Sequence, residues 1–273
     1  MKDSKNRIEK KAHLLWGQDL HHQTNAPVHY TQLAEIFKER WHHALQGNLL
    51  EIGCGSGSDL EFFSTQASLH GITAIDLGLN VAELAKKYQD RKDITVQQGN
   101  ALSLEFQNST FDMVYSFGVF HHTVDPVQCL REAYRVLKKE GVLFLYLYGA
   151  HEDNILKRVG IFLENFVMNL FSKIPYKHQS FFCLILSPVC WLIFAVPSNL
   201  LRLIGMEALA KKFPFYFGTH PFSLISDLKD RLMSPINHRF TQKKMQEILL
   251  ANNFDEFDVV KTSAGLYIYA KKS

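Results

Sequence analysis

Three alternating glycines follow an apolar segment near residue 50 and offer a place for a ligand. Residues 49–60 read LLEIGCGSGSDL, with Gly53, Gly55 and Gly57 between a predicted strand and a predicted helix. Glycine lets the chain turn sharply and brings backbone N–H groups close to a carboxylate or phosphate at a helix N-terminus. A dinucleotide fingerprint would place its third glycine at Ser58, so the spacing disfavours NAD and an NAD-dependent reductase.

Glu51 precedes the first glycine by two positions, inside an otherwise apolar segment. A buried carboxylate is costly without a cation or hydrogen-bond donors, and a ligand ammonium group would supply the cation. A ligand with a carboxylate for the helix end and an ammonium for Glu51 fits this loop better than a pyrophosphate does. S-adenosylmethionine is such a ligand. The alternative is an ordinary glycine-rich turn beside a solvated glutamate.

Two later polar residues suit the remainder of the same ligand. Asp76 ends the second predicted strand, where an acidic side chain can accept hydrogen bonds from ribose hydroxyls. Asn100 follows the third predicted strand, and its amide can both donate to and accept from an adenine ring. The alternatives are a helix cap or turn for Asp76 and an Asx turn for Asn100.

The elements that must position these residues alternate between strand and helix. Strands are predicted at 48–52, 71–76, 93–98, 111–116 and 141–148, and helices at 58–67, at 79–88 and from Pro126, with Asp125 as the N-cap. That order predicts an α/β fold with a mostly parallel sheet covered on both faces. After a long interruption, Thr241 caps a further helix, and 257–263 with 266–270 form a closing hairpin.

The ordered series of motifs resembles the class I S-adenosylmethionine-dependent methyltransferases, and most closely small-molecule methyltransferases related to the ubiquinone and menaquinone biosynthesis type. The matching pieces, between Leu49 and Tyr148, are LLEIGCGSGSDL, TAIDLG, GNALSLEF with STFDMVYS, GVFHHTVDP and EAYRVLKKEGVLFLYLYG. The resemblance implies a Rossmann-like seven-stranded sheet in which the last hairpin contributes one antiparallel strand. It also implies S-adenosyl-L-methionine as the cofactor.

The resemblance assigns roles residue by residue. The glycine loop would hold the methionyl part, Asp76 the ribose and Asn100 with Ala101 the adenine, while Ser116 and Phe117 would lie near the transferable methyl. The residues expected to bind the cofactor are Glu51, Gly53, Cys54, Gly55, Gly57, Asp76, Leu77, Asn100, Ala101, Ser116 and Phe117. The family more often has Asp at position 100, a departure that concerns only the adenine contact.

Methyl transfer from a sulfonium is an in-line displacement, so alignment in a water-poor pocket should supply most of the catalysis. Where the acceptor must lose a proton, His121 or His122 is a suitable base, because both follow the fourth strand at the ligand-binding edge of the sheet. The alternative is one structural and one solvated histidine. Tyr148 is a candidate for orienting the acceptor, or else a buried aromatic with a satisfied hydroxyl.

Composition excludes several classes of function. The chain has 273 residues, 47% hydrophobic and 21% charged, as an ordinary globular protein has. A net charge of +3 comes without a long basic run, so no nucleic-acid partner is expected. The four cysteines form no C-x-x-C pair, and the three histidine doublets are adjacent residues without the spacing of metal ligands. We therefore expect no metal site. The N-terminus lacks the apolar core of a signal peptide, so a cytoplasmic location is expected.

The chain is predicted to comprise an N-terminal helical lid at 1–46, a methyltransferase core at 47–149 and 239–273, and a helical cap insertion at 150–238. The insertion is too long for a surface loop. Apolar residues recur at helical spacing from Ile155 to Leu170, which predicts an amphipathic helix packed against the body. Such a cap favours an apolar or amphiphilic, lipid-like acceptor.

Residues 179–201 contain no charge and are nearly long enough to cross a bilayer, although Pro188 and Pro197 interrupt them. The flanking excess of lysine and arginine suits an anionic lipid surface. Interfacial membrane contact, a transmembrane span, and a soluble lid or a contact in a homo-oligomer all stay open. The competing hypothesis for the whole chain is a catalytically silent S-adenosylmethionine-binding protein or a scaffold that holds a membrane or partner.

Overall fold

The computed structural model describes residues 45–78, 81–262 and 265–273, and side chains throughout them except at positions 176 and 177. The predicted lid at 1–46 therefore lies almost wholly outside the described residues. The described chain divides into two compact units. We call residues 45–149 with 238–273 the core unit and residues 150–237 the insertion unit.

One seven-stranded sheet forms the base of the core unit. Its strands are β1 (Gly47–Ile52), β2 (Leu69–Asp76), β3 (Ile94–Gln98), β4 (Phe111–Phe117), β5 (Leu137–Tyr148), β6 (Glu256–Lys261) and β7 (Gly265–Lys271). Their order across the sheet is β3-β2-β1-β4-β5-β7-β6, in which β7 runs antiparallel to both neighbours and the other pairs are parallel. The predicted Rossmann-like α/β fold with one antiparallel strand is confirmed.

Helices alternate with these strands and also build the insertion unit. In chain order they are α1 (Ser58–Phe63), α2 (Val81–Lys87), α3 (Pro126–Val136), α4 (Ile155–Phe171), α5 (Tyr176–Cys190), α6 (Val196–Leu203), α7 (Glu207–Ala210), α8 (Ile225–Met233) and α9 (Gln242–Ala251). A 3₁₀ turn, Phe120–His122, precedes α3. The predicted caps are confirmed, because Asp125 accepts from the Gln128 N–H at 2.9 Å and Thr241 from the Lys244 N–H at 3.0 Å.

The sheet is buried on both faces, which makes it a rigid base for groups at its carboxyl edge. Successive side chains of a strand point to opposite faces. On β5, Leu143, Leu145 and Leu147 accordingly join one apolar cluster, and Val142 and Phe144 join another. The near-continuous apolar run of this strand is therefore that of a central strand.

The insertion unit is helical, and α4 and α5 both pack against α8. The predicted interruption by the prolines was wrong, because helix continues from α5 to α6 through a π-helical turn, Trp191–Ala195. In that turn the Val196 N–H bonds to the Trp191 carbonyl. By length and composition alone, the 26-residue stretch His178–Leu203 is apolar enough to cross a membrane, and only 17% of its apolar window is buried.

Helix α4 is amphipathic, but its apolar stripe faces outward. Ile155, Phe162 and Phe166 are 75%, 71% and 58% exposed. Lys157, on the opposite side, is buried at 8% exposure. Within the insertion unit the apolar stripe is not the packed face of α4, since periodicity shows which residues share a helix face but not what that face contacts.

Candidate active site

The glycine loop between β1 and α1 is held tightly on one side and is open on the other. The Gly53 and Cys54 N–H groups donate to the Ile75 carbonyl at 2.7 and 3.0 Å, which ties the loop to β2. Gly53 has a φ of +84°, and a Cβ there would overlap Cγ2 of Val119. A Cβ on Gly55 would meet no atom of the described residues within 4 Å. The loop therefore has a fixed shape and leaves room for a side chain at Gly55 within the part of the chain that the structure describes.

Asp76, at the end of β2, links the glycine loop to the turn that follows its own strand. Its Oδ2 accepts from the Gly55 N–H at 2.9 Å and its Oδ1 from the Gly78 N–H at 2.7 Å. Each carboxylate oxygen can accept a further hydrogen bond. The structure therefore puts an acceptor beside the open part of the loop, where the ribose was predicted to bind.

Glu51 is buried in the middle of the sheet, so the solvated-glutamate alternative is wrong. Its side chain lies on β1 between Ala74 of β2 and Tyr115 of β4, at 2% exposure. Within the described chain its Oε2 has no hydrogen-bond partner. Burial raises the pKa of the Glu51 carboxyl well above its usual range, and the nearby Asp59 and Asp76 carboxylates raise it further.

Asp59 is a polar residue of this site that sequence reasoning missed. It lies in the first turn of α1, and its Oδ2 accepts a 2.6 Å hydrogen bond from the Tyr115 hydroxyl. Burial raises the pKa of Tyr115, and Asp59 raises it further. Its position immediately after the glycine loop was the available signal. Glu51, Asp59 and Asp76 thus form an acidic cluster suited to a cationic ligand group.

Cys54 lies in the same loop, but its thiol is suited to packing and not to nucleophilic chemistry. Its thiol is buried, and burial is the main cause that raises the pKa of this thiol far above its usual value. The thiolate, which is the nucleophilic form, is therefore strongly disfavoured.

The predicted adenine-binding residues close the turn after β3. The Asn100 Oδ1 accepts from the Leu102 N–H at 2.9 Å, which is the Asx turn weighed as the alternative. The amide nitrogen is consequently the group that Asn100 can offer to an adenine ring. Ala101 is buried in the core, and the Leu77 carbonyl accepts from Nε2 of Gln98 at 3.1 Å.

Ser116 and Phe117 end β4, and each contacts a neighbouring strand. The buried Ser116 hydroxyl donates to the Ile52 carbonyl at 2.9 Å, so it ties β4 to β1. Phe117 stacks on Tyr146 with ring centroids 4.3 Å apart. Both residues lie at the carboxyl end of a parallel strand, as predicted, where ligands bind in open α/β sheets.

The three predicted catalytic side chains lie together. His121 stacks on Tyr148 with ring centroids 3.9 Å apart, and the His121 and His122 rings are 4.2 Å apart. The alternative of one solvated histidine is wrong, because His121 is fully buried and His122 is 7% exposed. Both imidazoles are thus buried beside the Tyr148 ring.

Residues after the insertion complete this cluster. The His238 N–H donates to the His121 carbonyl at 2.8 Å, and Nε2 of His238 lies 3.1 Å from the Thr123 carbonyl oxygen. The Arg239 guanidinium lies over the Tyr148 ring at 5.1 Å. Sequence reasoning missed Arg239, because no spacing rule relates it to Tyr148.

Comparison with known proteins finds a family match for one segment of the core unit. Residues 50–145 match the methyltransferase domain family. The "Uncharacterized methyltransferase YcgJ" of Bacillus subtilis (strain 168) is 32% identical over 111 residues, which cover 40% of this chain and 43% of the relative. The demethylmenaquinone methyltransferase of Lactococcus lactis subsp. lactis (strain IL1403) is 33% identical over 98 residues, which cover 34% and 39%.

A solved structure, that of the SeMet-substituted CurJ carbon methyltransferase, aligns with a TM-score of 0.50 at 12% identity, covering 96% of this chain and 57% of that chain. That likeness concerns the fold alone. The chain spans less than half the length of the two curated relatives named above. The family and cofactor predicted from the motifs are confirmed over residues 50–145, the segment that holds the glycine loop, Asp76 and the histidine pair.

Proposed function

We propose, on the premise that residues 50–145 form a class I S-adenosylmethionine-dependent methyltransferase domain, that this chain methylates a small apolar or amphiphilic acceptor. The observation that carries the proposal is the buried Glu51, whose Oε2 has no hydrogen-bond partner among the described residues beside the open surface of Gly55. We further propose that the protein works in the cytoplasm at the membrane surface, without a nucleic-acid partner.

The residues present suit each part of the cofactor. Glu51 would accept from the amino-acid ammonium group, and the open loop at Gly55 would admit the methionyl part. Asp76 would accept from the ribose hydroxyls, and the amide nitrogen of Asn100 would donate to the adenine ring. When bound, S-adenosylmethionine supplies an electrophilic methyl group on a sulfonium.

The protein's own contribution would be to align the acceptor, exclude water and remove a proton. His121 and His122 are buried beside Tyr148, which suits a base that must work away from solvent. In this proposal one of the two imidazoles takes the proton of the acceptor, and Tyr148 orients the acceptor. Arg239, over the Tyr148 ring, would limit the movement of that ring.

The acceptor class is proposed from two supports. The first is the apolar character of the insertion unit, in which large aliphatic and aromatic side chains are exposed along α4, α5 and α6. The second is that a relative of the domain is named demethylmenaquinone methyltransferase. An apolar substrate dissolved in a membrane would require an enzyme that binds the membrane surface.

Labelled S-adenosylmethionine tests this proposal with a panel of matched acceptors. Prenylated hydroquinones in mixed micelles and the same rings without a tail would be offered to the full chain. We expect label in the tailed acceptors, with kcat/KM about tenfold or more above that of the tailless rings, because an apolar tail adds binding energy. The variant His122→Gln should slow transfer while S-adenosylhomocysteine still binds in calorimetry.

Other outcomes would overturn separate parts of the proposal. If S-adenosylhomocysteine binds but neither the panel nor a membrane extract takes up label, the chain is a silent binder or a scaffold. If S-adenosylhomocysteine does not bind to the folded chain, the assigned cofactor site is wrong. Equal turnover of tailed and tailless rings would exclude the proposed acceptor class.

A further inference from the structure

We infer that the insertion unit docks on an anionic membrane. Its apolar side chains face outward and insert into the membrane surface, while polar side chains lie inside the unit. This docking rests on the proposed function, and it adds which surface of the insertion unit binds the membrane and which lipid headgroups it prefers. We define the outer face by Ile155, Phe162, Phe166, Ile185, Leu192 and Leu203, all of them exposed.

The outer face runs along both long helical stretches of the unit. On α4 the residues Ile155, Phe162 and Phe166 recur at helical spacing, and on the stretch His178–Leu203 the exposed Ile185 and Leu192 do the same. Large exposed patches on monomeric proteins rarely exceed a few hundred Å² and mark contact surfaces where they do. Two exposed apolar stripes in one unit therefore indicate that another surface contacts them.

The polar side chains of the same helices turn the opposite way. Nε2 of Gln179 donates to the Phe171 carbonyl at 2.7 Å, the Ser187 hydroxyl to the Pro221 carbonyl at 2.6 Å, and the Ser198 hydroxyl to the Ala210 carbonyl at 3.1 Å. These hydrogen bonds stay inside the insertion unit. Helices that satisfy their polar groups internally and present apolar groups outward are suited to a lipid environment.

Charged side chains of the unit are also partly internal. The buried Lys157 has its ammonium 5.6 Å from the centroid of the Tyr216 ring. Arg231 pairs with Asp227 at 2.8 Å and with Glu164 at 3.5 Å. In a water-facing helix bundle such groups would lie on the solvent side and the outer face would be the packed one. The arrangement here is the reverse.

The charges that remain exposed favour anionic lipid over the other occupants of an apolar face. Arg158, Lys173, Lys211 and Lys212 are exposed, against the exposed acids Glu152, Asp153 and Glu207 among the described residues of the insertion unit, and Glu207 pairs with Lys211 at 3.3 Å. A basic rim beside an apolar face attracts acidic headgroups. A symmetric contact between two copies would instead bring this rim towards its own copy.

The helix lengths favour docking in the interface over crossing the bilayer. Helix α4 has 17 residues and at 1.5 Å per residue is shorter than the roughly 30 Å of hydrocarbon, and α8 against which it packs has nine. The stretch His178–Leu203 is long enough, but its polar residues bond to α4, α7 and loop backbone within the unit. The unit therefore lies in the headgroup region as a group of helices.

Vesicle flotation of the full chain tests the inference. Vesicles of phosphatidylcholine with phosphatidylglycerol would be compared with phosphatidylcholine alone, at about 0.1 M and about 0.5 M salt. We expect binding about tenfold stronger to the acidic vesicles, falling at the higher salt. The triple variant Phe162→Ser, Leu192→Ser, Leu203→Ser should lower binding about tenfold or more, since apolar insertion contributes roughly in proportion to area.

Leu250→Ser is the matched control, because Leu250 is an exposed leucine of the core unit. It should leave vesicle binding unchanged, and the melting temperature and S-adenosylhomocysteine affinity should be unchanged in the triple variant. Failure of the wild type to bind S-adenosylhomocysteine would refute the proposed function but not the docking. Absence of vesicle binding, a detergent-sensitive dimer that the triple variant dissociates, or resistance to alkaline extraction would each overturn the inference.

Discussion

The core unit and the insertion unit place their apolar side chains by opposite rules. Of the twenty-one large hydrophobic side chains exposed in the described chain, twenty lie in the insertion unit and only Leu250 lies in the core unit. In the core unit, strand residues alternate between two buried clusters on the two faces of one sheet. The comparison shows that the core unit buries its large apolar side chains by itself, whereas the insertion unit needs another surface to cover them.

The two units also treat buried acids differently. In the insertion unit, Asp227 has a pKa that burial raises and the paired Arg231 lowers. In the core unit, Glu51 is buried next to the Asp59 and Asp76 carboxylates, which raise its pKa beyond the effect of burial. An acid paired with a cation is part of the architecture, whereas a buried acid among other carboxylates suits a cationic ligand.

The comparison is tested most strongly by the same substitution in both units. Phe144, buried and stacked on Tyr115 with centroids 5.2 Å apart, should cost about 3–5 kcal/mol of unfolding free energy when changed to Ala. Phe162→Ala should change that free energy by less than about 0.5 kcal/mol in lipid-free buffer, because the side chain is exposed. Urea unfolding measures both. A large cost at Phe162 would mean that the outer face is covered in solution.

The next effect concerns the internal ion pairs of the insertion unit. Arg231→Met removes the guanidinium that pairs with Asp227 and Glu164, and should cost about 2–3 kcal/mol. Adding Asp227→Asn should recover part of that loss, since a neutral amide is cheaper to bury. Lys244→Met, which removes an exposed pair with Glu247 in the core unit, should leave the unfolding midpoint unchanged. If the two single variants behave alike, the Arg231 pairs are not buried in solution.

A smaller effect compares two glycines of the core unit. Gly53→Ala should destabilise the fold by about 2 kcal/mol, through its left-handed φ and the contact with Val119. Gly55→Ala should cost about half as much, since its Cβ meets no atom of the described chain, yet should weaken S-adenosylhomocysteine binding about tenfold. Thermal shift and calorimetry separate the two results. Equal affinities in Gly55→Ala and the wild type would remove the open loop from the cofactor site.

Local rules were sufficient to predict most of the core unit. The Asp125-Pro126 pair marked the start of α3, the apolar run before Tyr148 marked a central strand, and the glycine spacing marked the ligand loop. Each signal depends on neighbours in the chain, so it can be read without knowing the tertiary structure. The Tyr115–Asp59 hydrogen bond joins residues 56 positions apart and has no such signal.

The insertion unit was predicted correctly as helical, but the face of α4 that packs inside this unit was not predictable from its spacing. The spacing from Ile155 to Leu170 defines one side of α4, and the same spacing is compatible with burial in a core or with exposure to lipid. The prolines were read as interruptions because a missing N–H weakens an α-helix, whereas a π-helical turn before Pro197 lets the helix continue. Both points concern surroundings that sequence patterns do not record.

The last predicted effect, at Glu51, has the opposite sign. Glu51→Gln should stabilise the ligand-free core unit by about 1–2 kcal/mol near neutral pH. A neutral amide avoids the free-energy cost of burying an ionisable carboxyl group. The same variant should bind S-adenosylhomocysteine about tenfold more weakly, since the amide cannot pair with the ligand ammonium as a charge. Unfolding titrations and calorimetry measure the two terms. A variant that is both less stable and equally tight would contradict the assignment.

The pH dependence of that effect follows from the direction of the Glu51 shift. Its pKa in the folded chain lies above the unfolded value of about 4.3, so its stabilising contribution is present below that pH and is lost as pH rises through the folded pKa. The stability difference between Glu51→Gln and wild type should therefore grow over this interval. An ammonium ligand lowers the same pKa, so binding should release a proton from the wild type and none from the variant. Calorimetry in buffers of different ionisation enthalpy detects that proton, and identical values in both proteins would leave Glu51 outside the ammonium site.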